Sequence, residues 1–106
     1  MNRRTKALQI SPETRRKVEE RDSIDGAPCC VFCGTPYGVR GEAHYIKRSQ
    51  GGLGIEQNIL TVCRPCHHEL DFGRKRNEML SHARRHFESK YEAWNEDELK
   101  YKREAV

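Results

Sequence analysis

Two Cys-x-x-Cys pairs constrain the fold of this chain more than any other feature of its sequence. Cys30 and Cys33 form the first pair, and Cys63 and Cys66 form the second. Two such pairs supply four thiolates in the tetrahedral arrangement that zinc prefers. The chain has 106 residues, of which only 35% are hydrophobic, so it cannot bury a large core without a staple. We therefore expect a structural zinc site that contributes much of the folding free energy.

The cysteines also allow other interpretations. A redox motif would need only one Cys-x-x-Cys pair, and buried free thiols would leave the paired spacing without a reason. Cys29 is a fifth cysteine. If it replaced Cys30 as a ligand, its spacing to Cys33 would be Cys-x-x-x-Cys, which we consider less favourable. We expect Cys30 to bind the metal and Cys29 to be surplus.

Composition limits where the chain works and what it contacts. It has no apolar run long enough to cross a membrane. Its first ten residues, MNRRTKALQI, lack the apolar stretch of a signal peptide. We therefore expect an intracellular, cytoplasmic protein, in which structural disulfides are disfavoured. The formal net charge of +4 permits binding to nucleic acid without establishing it.

The length predicts a single domain, and the local signals predict a small α+β fold. Ser11 and Pro12 are typical of the N-cap and first position of a helix. Asp25 and Gly26 predict a turn after that helix. The predicted parts are a loose basic arm at 1–10, an N-terminal helix and turn at 11–28, a zinc-stapled core at 29–72 and a C-terminal helical region at 73–106.

Within the core, short apolar stretches predict strands at 42–47 and 58–62. The glycine cluster between them indicates a loop with positive φ. A helix is expected from Cys66 to about Asp71, and a longer one from about Asn77 to Trp94. The longer helix carries an apolar stripe with spacings of three or four residues: Leu80, Ala83, Phe87, Tyr91 and Trp94.

A histidine, an asparagine and a second histidine accompany the cysteine pairs. His44 precedes the glycine cluster, Asn58 begins the second predicted strand, and His67 follows Cys66 directly. The stretch EAHYIKRSQGGLGIEQNILTVCRPCHHELD, within about residues 12–72, resembles the HNH endonuclease family. More narrowly it resembles the small HNH proteins of bacteriophages. The resemblance implies a ββα-metal (His-Me finger) core that is stapled by the four-cysteine zinc site.

The resemblance also implies an activity, the metal-dependent hydrolysis of DNA phosphodiester bonds. In that scheme His44 is the general base, because a neutral imidazole can take a proton from water near pH 7. Asn58 is the residue that orients this base. His67 is a ligand of a catalytic divalent ion, such as Mg²⁺ or Mn²⁺, that stabilises the leaving oxygen. The structural zinc ion would occupy a separate, closed site.

The chain departs from the family pattern at Ala43, where the family has a metal-binding Asp or His. Asp71 lies four residues after His67, on the same face of the expected helix, and is our candidate for the second ligand. His68 and Glu42 are weaker candidates. In an alternative register His44 is the ligand and Tyr45 the base, but this breaks the spacing to the glycine cluster.

Basic residues near these positions predict phosphate contacts. We expect three basic residues of the predicted N-terminal helix, Arg15, Arg16 and Lys17, to form a solvated face, and His82 and His86 to lie on the surface. DNA binding should depend on backbone and shape, with steep salt dependence. Partners beyond DNA are a possible second copy of the chain or phage packaging proteins. The expected nucleic-acid contacts are Lys47, Arg48, Arg64, Arg74, Lys75 and Arg76.

Two other functions remain open from the sequence. The first is a non-catalytic, zinc-stapled module that binds DNA or a protein and has lost cleavage through Ala43. His44 or Asn58 alone is at least as typical of a hydrogen-bonded structural residue, and only their combination with His67 favours catalysis. The second is an oxidoreductase that uses Cys-x-x-Cys, which we favour least.

Overall fold

The described part of the chain is a small α+β unit. A computed structural model describes residues 2–102 and places four helices and two small antiparallel sheets in that range. None of its helices is long and apolar enough to cross a membrane. The predicted N-cap is confirmed, since the Ser11 hydroxyl accepts a hydrogen bond from the Thr14 amide. The helices are α1 Arg3–Leu8, α2 Pro12–Arg21, α3 Arg64–Phe72 and α4 Arg76–Lys90.

The strands form two hairpins. The short first hairpin turns at Asp25 and Gly26, both with positive φ, as the sequence predicted. In the second hairpin, His44 pairs with Ile59. The strand predicted at 42–47 therefore begins and ends three residues earlier, whereas the one predicted at 58–62 is displaced by only one residue. The strands are β1 Ser23–Ile24, β2 Ala27–Pro28, β3 Val39–His44 and β4 Ile59–Cys63.

The core lies where α2, α3 and α4 pack on the second hairpin. All five residues of β4 are buried, and Ala83 and Phe87 of α4 are fully buried against them. The apolar stripe is therefore confirmed in its centre. The helix ends four residues before Trp94, because the chain leaves it at Lys90 and Ala93 adopts a φ of 54°. Trp94 still packs on the core, stacked on Phe87 at 5.2 Å.

The N-terminal arm is not loose within the described residues, and this prediction was wrong. Arg3–Leu8 form α1, which Asn2 caps by accepting a hydrogen bond from the Thr5 amide. Leu8 is 3% exposed, and the Gly54 amide donates to the Ala7 carbonyl at 3.0 Å. A cap and one buried leucine hold this helix, which is too short to be stable alone.

The glycine loop packs against this helix, and its glycines serve two different purposes. Gly51 has a φ of +84°, as the sequence predicted, which favours glycine. At Gly52 a Cβ would lie 1.7 Å from the Ile46 carbonyl oxygen, and at Gly54 it would lie 1.9 Å from that of Gln9. These two positions therefore need glycine because of a close backbone approach, and not because of positive φ.

A buried ion-pair network joins α2 to α4. Asp22 accepts hydrogen bonds from Arg21, His86 and the Thr61 amide. Burial alone would raise the pKa of Asp22, but hydrogen bonds from His86 and Arg21 and the charge of Arg21 lower it to about 2. His86 is thus not a surface residue, and that prediction was wrong. His86 lies on the inner side of α4 because it bonds to Asp22. The two residues are far apart in the sequence, so their spacing gave no sign of this contact.

Candidate functional site

The four predicted zinc ligands form one cluster, which we call the cysteine cage (Cys30, Cys33, Cys63 and Cys66). Their sulfur atoms all lie within 4.8 Å of one another, and the sulfurs of Cys33 and Cys63 are 3.6 Å apart. Zinc–thiolate bonds of about 2.3 Å place tetrahedral sulfurs about 3.8 Å apart. The cage therefore has the ligand type and the spacing of a structural metal site such as zinc.

Two local structures bring these sulfurs together. In the first, the Gly34 amide donates to the Cys30 carbonyl at 2.9 Å, and Gly34 has a φ of +79°. In the second, Cys63 ends β4 and Cys66 lies in the first turn of α3. This helix begins at Arg64, two residues before the start predicted at Cys66. The cage thus links the loop after β2 to the junction of β4 and α3.

The pKa values of the cage thiols reflect the crowding of the four sulfur atoms. Burial raises the pKa of Cys66, and neighbouring sulfurs raise it further, because crowded thiolates repel one another. Burial opposes ionisation of Cys30 as well, but backbone amides of Cys33, Cys63 and Phe32 lower its pKa overall. A divalent cation would remove the repulsion and release the protons. Cys29 lies outside the cage and bonds to the Ala27 carbonyl at 3.3 Å, so its surplus status is confirmed.

A separate open cavity of about 690 Å³ is lined by three of the residues that the sequence analysis assigned to catalysis, His44, His67 and Asp71. We call it the histidine cavity, after His44 and His67, which both line it. His44 ends β3, whereas His67 lies on the first turns of α3, whose start the cage anchors. The remaining residues of its wall come from the segment after α1, from α2, from β3 and the segment after it, and from α3: Gln9, Ile10, Arg15, Glu42, Lys47, Arg48, Ser49, Asp71 and Phe72.

The hydrogen bond of His44 determines its tautomer. Its Nε2 lies 3.0 Å from the Leu8 carbonyl oxygen. Because a carbonyl oxygen only accepts, Nε2 carries the proton, and Nδ1 of the neutral ring keeps its lone pair. Burial lowers the pKa of His44, and the charge of Arg48 lowers it further. At neutral pH the ring is therefore a neutral proton acceptor.

His67 lies between two carboxylates. Its Nδ1 is 3.6 Å from the Glu42 carboxylate, and its Nε2 is 3.3 Å from that of Asp71. Asp71, the predicted partner, is thus adjacent to His67, and so is Glu42, which we ranked lower. Imidazole and carboxylate donors suit a divalent ion. Within residues 2–102, however, only the cysteine cage has three or more ligand atoms this close together.

The residues beside His44 differ in which way their side chains face. Ala43 is fully buried in the hydrophobic core, so its side chain faces away from the cavity. Glu42 lies between Gly41 and Ala43, where the pairing of β3 with β4 shifts register. Its side chain lines the cavity. Tyr45, the base of the alternative register, is buried and donates a hydrogen bond to Glu96. It does not line the histidine cavity, so the alternative register has no support here.

Asn58 acts on the backbone. It is fully buried, and its side chain accepts a hydrogen bond from the Ile46 amide at 2.8 Å. It also donates to the carbonyls of Ile46 and Leu53, and its own carbonyl accepts from the Tyr45 amide. Asn58 therefore holds the segment that follows His44.

The predicted nucleic-acid contacts divide into two groups. Lys47 and Arg48 line the histidine cavity. Arg64, Arg74 and Lys75 are exposed but are not part of its wall. Arg76 donates to the Leu70 carbonyl at 2.7 Å and lines a different cavity. Proximity in sequence to α3 thus did not bring these four side chains to the site.

Three residues of the site escaped the sequence analysis. Leu8 contributes its carbonyl to His44, Arg15 lines the cavity, and Phe72 lies at the cavity with 77% of its surface exposed. A backbone carbonyl leaves no sequence signal, and an arginine in a basic helix is indistinguishable from a solvated one. The one available signal was a phenylalanine directly after Asp71, and only the structure shows that it is exposed.

Comparison with known proteins adds no further constraint. Neither a protein-family model, nor a curated protein, nor a solved structure matches this chain.

Proposed function

We propose that this protein is a metal-dependent endonuclease that hydrolyses DNA phosphodiester bonds, with His44 as the general base. The observation that carries the proposal is the bond between His44 Nε2 and the Leu8 carbonyl. It leaves Nδ1 of a neutral ring as the acceptor in a cavity that also contains His67, Glu42 and Asp71. A general base needs this protonation state and tautomer.

The reaction follows from these groups. His44 Nδ1 takes a proton from a water molecule, whose oxygen forms a bond to phosphorus as the bond between phosphorus and O3′ breaks. The resemblance to HNH endonucleases implies that the products are a 5′-phosphate and a 3′-hydroxyl, the latter protonated from solvent. His67, Asp71 and Glu42 would hold a divalent ion, such as Mg²⁺ or Mn²⁺. When bound, this ion supplies charge neutralisation at the phosphate and the leaving oxygen.

The charges of the cavity favour an anionic substrate. Three cations line it, namely Arg15, Lys47 and Arg48, against two carboxylates, Glu42 and Asp71. A bound divalent ion would offset the carboxylates and leave the cations available for phosphates. His44 is part of the wall, so a phosphate bound in the cavity would lie within its reach.

One observation favours a second candidate function. The carboxylates of Glu42 and Asp71 face different nitrogens of His67, and one imidazole nitrogen ligates one ion. The ligand atoms must therefore rearrange before they can share a metal. A chain in which they do not rearrange would be a zinc-stapled module that binds DNA without cutting it.

Plasmid nicking distinguishes the two functions. Purified protein should nick supercoiled plasmid with Mg²⁺, Mn²⁺ or Ni²⁺, and His44→Ala should slow nicking by about 100-fold or more without weakening DNA binding. His82→Ala, which alters an exposed histidine of α4, is the matched control and should cleave normally. If the unaltered protein nicks with none of these ions but still binds DNA, the binding module is correct.

A further inference from the structure

Helix α2 is held directly over the strand that carries His44. A Cβ on Gly41 would lie 3.0 Å from Val18 Cγ1 and 3.2 Å from the Arg15 carbonyl oxygen. The Gly41 amide donates to Glu19 at 2.9 Å. The helix backbone at Arg15 thus lies against Gly41 of β3, and Gly41 is three residues before His44. From this position the Arg15 side chain reaches the wall of the histidine cavity.

Arg15 differs from the other half-buried cations because its buried Nε would not have to break a hydrogen bond within the described chain in order to bind a ligand. Its Nε is buried and has no hydrogen-bond partner among residues 2–102. By contrast, Lys47 donates to the Asp71 carbonyl at 3.1 Å, and Arg21 bonds to Asp22 and two backbone carbonyls. Buried donors are nearly always satisfied in folded proteins. An anion from outside the chain would satisfy this one.

We propose that Arg15 is a phosphate-binding residue, which holds a backbone phosphate of the nucleic acid next to the one that is cleaved. This rests on the proposed function, since it takes DNA as the ligand. Guanidinium groups match phosphate oxygens with two parallel hydrogen bonds. Arg48 lines the same cavity from the segment that follows β3, whereas Arg15 enters it from α2. In this assignment Arg48 serves the cleaved phosphate and Arg15 serves its neighbour.

Binding without cleavage tests this assignment. In a His44→Ala background, affinity for a short DNA duplex is measured by fluorescence anisotropy between about 50 and 300 mM KCl. Arg15→Gln should reduce the slope of log Kd against log salt by about 0.9, the effect of one lost phosphate contact. Arg15→Lys should retain the slope, because it keeps the charge. Arg16→Gln is the matched control on the exposed face of α2 and should change the slope much less.

Kinetics with His44 intact provide a second readout. A contact made equally in the bound substrate and the transition state changes KM but not kcat. Arg15→Gln should therefore raise KM several-fold and leave kcat within about twofold. If Arg15→Gln lowers the melting temperature but matches Arg16→Gln in salt slope and KM, Arg15 is only structural and the assignment is wrong.

The outcomes also separate this inference from the proposed function. If the His44→Ala protein does not bind DNA at all, both are wrong. If DNA is bound but the unaltered protein never cuts it, hydrolysis is wrong, and the salt slope still decides the role of Arg15. If cleavage depends on His44 and Arg15→Gln behaves like its control, only the assignment of Arg15 is wrong.

Discussion

The cysteine cage and the histidine cavity both draw residues from α3, but their geometry differs. The four sulfurs of the cage lie within 4.8 Å of one another. In the cavity, the two carboxylates flank opposite nitrogens of His67. The cage is therefore assembled in the fold, whereas the cavity presents ligands that still have to converge. The difference suits the roles that we propose for them, since a structural metal site is closed and a catalytic one keeps open positions.

Helix α3 connects the two sites. Cys66 contributes to the cage, and His67, the next residue, lines the cavity. Successive residues on a helix point about 100° apart, so one turn serves both sites. Metal in the cage would hold the start of α3 and thereby set the position of His67. The comparison thus predicts that loss of a cage ligand unfolds the chain, whereas substitution of a side chain in the cavity wall affects function far more than stability.

The largest expected effect is loss of the cage. Cys66→Ser, or removal of zinc with a chelator, should unfold the chain, because zinc binding contributes about 10 kcal/mol or more in small zinc domains, comparable to the stability of a whole domain. Circular dichroism and zinc content measure the effect. Cys29→Ser is the matched control and should remain folded with its metal. A Cys66→Ser protein with unchanged helicity would show that the core does not depend on the cage.

The next largest effect is a loss of stability when Asn58 is replaced, because its side chain holds the backbone that follows His44. Asn58→Ala removes three side-chain hydrogen bonds to buried backbone groups, and each group left without a partner costs about 1–3 kcal/mol. Urea unfolding should therefore show a loss of about 3 kcal/mol or more, with zinc still bound. Gln57→Ala, at the neighbouring position, serves as the control. A loss below about 0.5 kcal/mol would contradict the conclusion that Asn58 holds the segment after His44.

The smallest effect concerns the titration of His44. Burial and Arg48 lower its pKa below the usual 6.5, so its folded form binds a proton less readily than its unfolded form. Between that lowered pKa and 6.5, the unfolded chain binds more protons, and stability due to His44 rises with pH and is lost as pH falls. The cleavage rate should rise as pH increases through the pKa of His44 in the folded protein, and it should level off at higher pH.

Histidine NMR measures this titration directly in the folded protein. The His44 ring should titrate below 6.5, and the Nε2-protonated tautomer should dominate at neutral pH, as the bond to Leu8 requires. Asp71→Asn should lower the pKa of His44 further, because the negative charge of Asp71 raises it. A pKa above 6.5, or a proton on Nδ1, would contradict the role of His44 as a base.

The sequence could predict the parts of the molecule that depend on local spacing. The Ser11 cap, the turn at Asp25 and Gly26, and the four sulfur ligands with Cys29 excluded all agree with the structure. The adjacency of His67 and Asp71 followed from the helical repeat. Each of these depends on residues a few positions apart, or on two pairs whose chemistry has one common solution.

Tertiary structure alone decided the surroundings of His44. The Leu8 carbonyl contacts His44 from α1, and Arg15 of α2 and Glu42 of β3 line the same cavity. Which side chain an element presents to a distant neighbour depends on how the elements pack, and backbone carbonyls are the same in every residue. The sequence by itself therefore determined the metal cage and the candidate base, and only the packing of α1 and α2 on the second hairpin decided how that base is oriented and what lies around it.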